Sequence, residues 1–143
     1  MIDKDFIKRK ISFIQDDLIG LSSMAGLSLD QVLADFIKQA ALERLLERII
    51  NRAIDVNRHI INEMKNEKIL SPKDYRDTFL ILPELGVFST DFAKEISKSI
   101  GTRNVLTHEY DKTDQTLIYN SIGDCLKDYN NYCRFILDFI EKR

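Results

Sequence analysis

The chain has 143 residues, of which 44% are hydrophobic and 31% are charged, with only five glycines and two prolines. This length and balance predict one folded domain over residues 1–143 and exclude an intrinsically disordered chain. The formal net charge of −2 excludes a protein that coats nucleic acid through general basicity, so any RNA site must be a local patch.

The amino-terminal sequence, MIDKDFIKRK, is too charged for a signal peptide, and no apolar run is long enough to span a membrane. We therefore expect a cytoplasmic protein with no membrane partner.

The first half of the chain predicts long helices. A helix is expected from about Asp3 to Leu21, because apolar residues recur in steps of four and three at Ile7, Ile11, Ile14, Leu18 and Leu21. Ser28–Gln31 has the pattern of a capping box. Helical periodicity then continues to about Glu67, and we expect a break near Lys38–Ala41 because such a length is unusual for one globular helix.

The second half predicts shorter helices and one long one. Ser71–Pro72 is typical of a helix start, and Pro83 and Gly86 would end that helix. Ser89 or Thr90 would cap the next one. A last helix from about Gln115 to Glu141 would bury Leu117 or Ile118, Ile122, Leu126, Tyr129, Cys133, Ile136 and Ile140. No segment has β-strand periodicity, so the predicted fold is all-α: an antiparallel up-and-down four-helix bundle with short extra helices.

The cysteines and histidines predict neither a disulfide nor a metal site. Cys125 and Cys133 are eight residues apart in a predicted helix, roughly 12 Å along its axis, which is too far for a disulfide. We expect buried free thiols. The two histidines are far apart and no Cys-x-x-Cys is present, so no metal and no cofactor are expected.

The motif Arg103-Asn104-Val105-Leu106-Thr107-His108-Glu109-Tyr110 carries most of the functional signal. The arginine is the side chain best suited to grip phosphate, and the histidine can move protons near neutral pH. If the helix continues, Asn104 and His108 share a face and Arg103 can swing toward it. Gly101 either tolerates close packing or ends one helix so that Thr102 caps another. We expect the helix to fray at Glu109–Tyr110, which would leave the phenol beside the site.

The motif and the other histidine, His59, each have a purely structural interpretation. Arginine and histidine near a helix carboxy terminus can simply stabilise the helix dipole and its last carbonyls. His59 lies four residues after Asp55 in a predicted helix, which favours a structural pairing over catalysis.

The motif resembles the signature of the HepT toxins, a branch of the HEPN superfamily, which pair with MntA antitoxins in type VII toxin–antitoxin systems. Their pattern is Arg-x4-His-x-Tyr, usually with Asn after the Arg, and Arg103, Asn104, His108 and Tyr110 match it. The resemblance extends over 1–143 and is firmest from 42 to 140, through segments 42–44, 53–61, 72–75 and 85–88 and through Phe79, Leu82 and Tyr119. Gly101-Thr102 departs from it, since the family often has an aromatic residue directly before the Arg.

The resemblance implies a HEPN-like homodimer whose Arg103, Asn104 and His108 meet across the interface in a composite, metal-independent endoribonuclease site for tRNA or mRNA. It also implies a partner, an MntA-like nucleotidyltransferase antitoxin that silences the toxin by AMPylation of Tyr110. Two alternatives remain open: a non-catalytic nucleotide- or substrate-binding partner of a minimal nucleotidyltransferase, and a plain helical scaffold.

Overall fold

A computed structural model describes residues 1–69, 71–107 and 112–143, excluding the side chains of 112–114. All regular elements of these ranges are helices, which confirms the all-α prediction. The elements are α1 (Lys4–Met24), α2 (Leu29–Leu33), α3 (Phe36–Met64), α4 (Tyr75–Leu80), a 3-10 turn (Leu82–Leu85), α5 (Thr90–Ser97), α6 (Ser99–Leu106), α7 (Lys112–Asn120) and α8 (Ile122–Glu141). No helix within the described ranges is both long and apolar enough to cross a membrane.

The three longest helices form the centre of the bundle, where α1 packs against both α3 and α8. The predicted stripe of α1 is fully confirmed, because all five of its apolar residues are buried. In α8 the stripe is also largely buried, and Ile118 rather than Leu117 is the buried residue of the preceding turn. The segment formed by α5 and α6 completes the bundle by contacts with α8 and α3 respectively.

The break in the long helical region falls earlier than predicted. The capping box is confirmed, since the Ser28 hydroxyl accepts from the Gln31 amide while the Gln31 side chain accepts from Ser28 N–H. The predicted break near Lys38–Ala41 is wrong, because α2 ends at Leu33 and α3 is continuous from Phe36 onward. The cause is Asp35, whose carboxylate caps α3 by accepting from the amides of Ile37 and Lys38.

The helix predicted to start at Ser71–Pro72 starts later. Asp74 is the actual cap of α4, with its carboxylate accepting from Asp77 N–H at 2.8 Å. The prediction that Pro83 and Gly86 end the helical path holds for Gly86, which has φ of 83°. Pro83 instead lies inside the 3-10 turn that follows α4, because its missing N–H costs nothing at a helix start.

Two serines divide the later helices. Ser89 caps α5 as predicted, by accepting from Phe92 N–H. The single last helix expected from Gln115 is instead two helices, α7 and α8, with a break at Ser121. The Ser121 amide donates to the carbonyls of both Leu117 and Ile118, a tight turn that interrupts the regular helical bonding.

Candidate functional site

The described part of the sequence motif lies on α6. This helix begins after Lys98 and ends at Leu106, and the Thr107 hydroxyl donates to the carbonyl of Asn104. Both expectations for Gly101 are wrong: it lies inside α6 and so ends no helix, and a side chain there would contact none of the described residues within 4 Å, so no close packing requires a glycine. His108 and Tyr110 lie outside the described residues, and so do the expected fraying at Glu109–Tyr110 and the shared face of Asn104 and His108.

Arg103 is held by residues of two other helices. Its Nε–H donates to the Asn51 side-chain oxygen on α3 at 2.8 Å. Its guanidinium carbon lies 4.4 Å from the centre of the Tyr75 ring at the start of α4, within cation–π range. The side chain thus bonds to α3 rather than to the last carbonyls of its own helix, which disfavours a purely helix-stabilising role.

The positive charge of Arg103 is not neutralised by a carboxylate among the described residues. Asn51 is a neutral acceptor, so it fixes Nε without offsetting the charge, and the terminal guanidinium nitrogens donate to no other residue within the ranges 1–69, 71–107 and 112–143. The neighbouring Asn104 is exposed on the same helix. An ordered, uncompensated guanidinium beside an exposed amide is chemically suited to bind a phosphate.

A second arginine contacts the same ring. The guanidinium carbon of Arg58 on α3 lies 4.9 Å from the Tyr75 ring centre. Asn51 and Arg58 are seven residues apart, which is two helical turns, so they share the face of α3 that looks toward α4 and α6. Asn51, Arg58 and Tyr75 were not among the site residues predicted from the sequence. The spacing on α3 was the only available signal, and it is common on any long helix.

The other side of α6 is anchored to α8. The hydroxyls of Ser99 and Tyr129 lie 2.8 Å apart in a hydrogen bond. Close by, burial raises the pKa of the Asp128 carboxyl, and the negative charge of Glu95 adds to the shift.

His59 has a structural position, and its predicted pairing with Asp55 is wrong. Its Nε2 accepts from the backbone N–H of Asp3 at 2.9 Å, and its ring packs 5.0 Å from that of Phe6. Asp55 pairs instead with Lys10 at 3.1 Å. The histidine therefore fastens the start of α1 to α3.

Cys125 and Cys133 are free and buried, as predicted. Burial raises the pKa of each thiol to about 12, and for Cys125 the charge of Asp128 contributes as well. Among the described residues, no group of three or more His, Cys, Asp or Glu side chains is arranged to hold a metal ion.

The bundle and its ordered arginine define an all-helical protein with a cationic, phosphate-compatible site. The fold is similar to that of a tri-AMPylated HEPN toxin of Shewanella oneidensis solved in complex with an MNT antitoxin, with a TM-score of 0.80 and 22% identity, covering 94% of this chain and 98% of the other. This likeness shows that the two chains share one helical-bundle fold.

Residues 7–136 match the family described as ribonuclease HepT-like. The chain is 33% identical over 141 residues to the tRNA nuclease HepT of Aphanizomenon flos-aquae, covering 97% of this chain and 92% of the relative. It is 23% identical over 128 residues to the mRNA nuclease HepT of Shewanella oneidensis, covering 90% and 93%. The chain therefore belongs to the ribonuclease HepT-like family, which confirms the resemblance seen in the sequence and makes it an enzyme of the ribonuclease class.

Proposed function

We propose that this protein is the toxin of a toxin–antitoxin pair and a metal-independent endoribonuclease that cleaves tRNA or mRNA in the cytoplasm. Its single domain would act as a homodimer, with one motif from each copy forming the cleft. The observation that carries the proposal is the guanidinium of Arg103, which is ordered by Asn51 and Tyr75 and has no carboxylate partner among the described residues.

Arg103 would bind the scissile phosphate and offset the charge that builds on its oxygens. His108 of one copy would take the proton of the 2′-hydroxyl, whose oxygen then forms a bond to phosphorus. The bond to the 5′-oxygen breaks, and His108 of the second copy would protonate that leaving oxygen. The products are a 2′,3′-cyclic phosphate and a 5′-hydroxyl, and the need for a 2′-hydroxyl restricts the enzyme to RNA.

Asn104 would orient the imidazole or the phosphate. It is exposed and next to Arg103 on α6, so its amide is available to a ligand bound at that arginine. An amide adds hydrogen bonds without adding charge, which suits a group that must not compete with the phosphate for Arg103.

Silencing would occur at Tyr110. An MntA-like nucleotidyltransferase would transfer AMP from ATP, so that the phenol oxygen loses its proton and bonds to the α-phosphorus while pyrophosphate leaves. The modified HEPN toxin of Shewanella oneidensis, in complex with its MNT antitoxin, supports this regulation. Each AMP adds negative charge and bulk, and both oppose binding of an anionic RNA backbone.

The test is cleavage of defined tRNA and mRNA substrates by the purified full chain in the presence of EDTA. We expect the wild-type protein to cleave RNA and both Arg103→Ala and His108→Ala to lose activity by at least a hundredfold. His59→Gln is the matched histidine control and should retain cleavage, because His59 binds the start of α1. Full activity of His108→Ala would overturn the catalytic assignment, and activity only with added divalent metal would overturn metal independence. Nucleotide binding without any RNA cleavage would favour the alternative, a binding partner.

A further inference from the structure

Arg58 and Arg103 share one aromatic ring although they come from different helices. Their guanidinium carbons lie 4.9 Å and 4.4 Å from the Tyr75 ring centre, so the two carbons are separated by no more than the two distances together, about 9 Å. This upper limit is short enough for the two guanidinium groups to contact phosphates of one nucleic-acid strand, which carries a charge on every nucleotide. The ring thus places two cations where a single RNA backbone can reach both.

Arg58 differs from the other arginines of α3 because it has no carboxylate partner among the described residues. Three other arginines of α3 have a carboxylate partner: Arg44 pairs with Glu47, and Arg48 and Arg52 both pair with Asp17. Arg58 has no ion-pair partner within the described ranges, and it is exposed. Two like charges near one ring repel each other, and the face of an aromatic ring offsets only part of that repulsion. Such a pair is suited to a polyanionic ligand, in a chain whose net charge is otherwise negative.

We propose that Arg58 binds the RNA phosphate adjacent to the scissile phosphate held by Arg103, with Tyr75 as the shared platform that orders both guanidinium groups. This inference rests on the proposed ribonuclease function. Arg58 contacts substrate but not the reacting atoms, so it contributes to RNA affinity and leaves the rate of the chemical step unchanged. With Arg58 included, the proposed RNA-binding surface reaches from Arg103 on α6 to the surface of α3.

The experiment measures binding and cleavage separately on the full chain. Binding is followed by fluorescence anisotropy with a 2′-O-methyl RNA, which cannot be cleaved, between 50 and about 300 mM salt. Cleavage of the unmodified RNA gives kcat and KM. Arg58→Gln removes the charge and Arg58→Lys keeps it. Arg134→Gln is the matched control, because Arg134 on α8 also lies over an aromatic ring, 5.2 Å from the centre of Phe135.

We expect Arg58→Gln to weaken RNA binding about five- to tenfold, to raise KM by a similar factor and to leave kcat unchanged. The slope of log affinity against log salt should fall by about 0.7, the value for one phosphate contact to a single strand. Arg58→Lys should keep the wild-type slope, and Arg134→Gln should match wild type throughout.

The possible failures are distinguishable. An Arg58→Gln protein with wild-type affinity, KM and salt slope would overturn the role of Arg58 while leaving the ribonuclease proposal intact. A drop in kcat with no change in affinity would also overturn it. If the wild-type protein binds the modified RNA but does not cleave the unmodified RNA, the proposed function is overturned. The binding affinities of wild type and Arg58→Gln then still test the role of Arg58. Absence of any RNA binding would overturn both.

Discussion

The side-chain oxygen of Asn51 accepts a 2.8 Å hydrogen bond from Nε of Arg103 across the contact between α3 and α6. The hydrogen-bond acceptor is the neutral amide of Asn51, although the carboxylate of an aspartate has nearly the same shape. The amide fixes the arginine in place and leaves its full positive charge for a ligand, whereas a carboxylate would offset that charge.

Replacement of Asn51 by aspartate should therefore impair the enzyme without unfolding it. We expect Asn51→Asp to reduce kcat/KM for RNA about tenfold or more, because the new carboxylate would compete with phosphate for Arg103. The measurement is RNA cleavage kinetics, with thermal melting to confirm the fold. Asn131→Asp is the matched control, since Asn131 accepts from Arg134 at 3.2 Å on α8, and it should cleave normally. Equal activity of Asn51→Asp and wild type would contradict the role given to the amide.

The phenol of Tyr110 provides a second prediction, which concerns regulation. Tyr110→Phe should keep ribonuclease activity and toxicity, because phenylalanine retains the ring, but it should accept no AMP from the antitoxin. The measurements are growth on co-expression with the cognate nucleotidyltransferase and the mass of the recovered chain. Wild-type toxin with an antitoxin that lacks transferase activity is the control. A Tyr110→Phe toxin that is still silenced through AMP transfer would place the modification elsewhere.

A buried polar network predicts a loss of stability at Tyr132. Its hydroxyl donates to the Asn57 side-chain oxygen at 2.6 Å and contacts the Ala53 carbonyl at 3.1 Å, and Asn57 in turn donates to the Thr78 hydroxyl. Tyr132→Phe should lower the free energy of unfolding by about 1–3 kcal/mol, because Asn57 would be left with an unsatisfied buried oxygen. Chemical denaturation measures the effect.

The control for this change is Tyr75→Phe. The Tyr75 hydroxyl has no hydrogen bond to any residue that the structure describes, so its removal should leave the free energy of unfolding within about 0.5 kcal/mol of wild type. Equal stability of Tyr132→Phe and Tyr75→Phe would mean that the network contributes nothing measurable.

The buried thiols predict resistance to alkylation. The pKa of both Cys125 and Cys133 is raised to about 12, so the protonated, unreactive form dominates at pH 8 in the folded protein. Unfolding returns each pKa to its ordinary range near 8.5 and raises the thiolate fraction. We expect both thiols to react slowly with iodoacetamide in native buffer and quickly in denaturant at the same pH. Rapid labelling of the native protein would show that the helices open around them.

The sequence alone determined the helical class of the fold, much of its core and the candidate motif. The stripe of α1 and most of that of α8 could be predicted because helical periodicity is a local property of the chain. Caps were predicted correctly at Ser28 and Ser89, whereas Asp35 caps a helix that begins before the expected break and Asp74 caps α4 three residues after the expected start at Ser71. The motif and its family could be recognised because Arg103, Asn104, His108 and Tyr110 are close in sequence.

Only the tertiary structure decided which groups surround Arg103. Asn51 is 52 residues away in sequence, and Tyr75 reaches the site from a third helix. The packing of α3, α4 and α6 brings these side chains together, and no local pattern encodes distances between helices. The same reason explains His59, whose partner is the start of α1 rather than the nearby Asp55. Spacing along one helix predicts which residues share a face, and the packing of other helices determines what that face contacts.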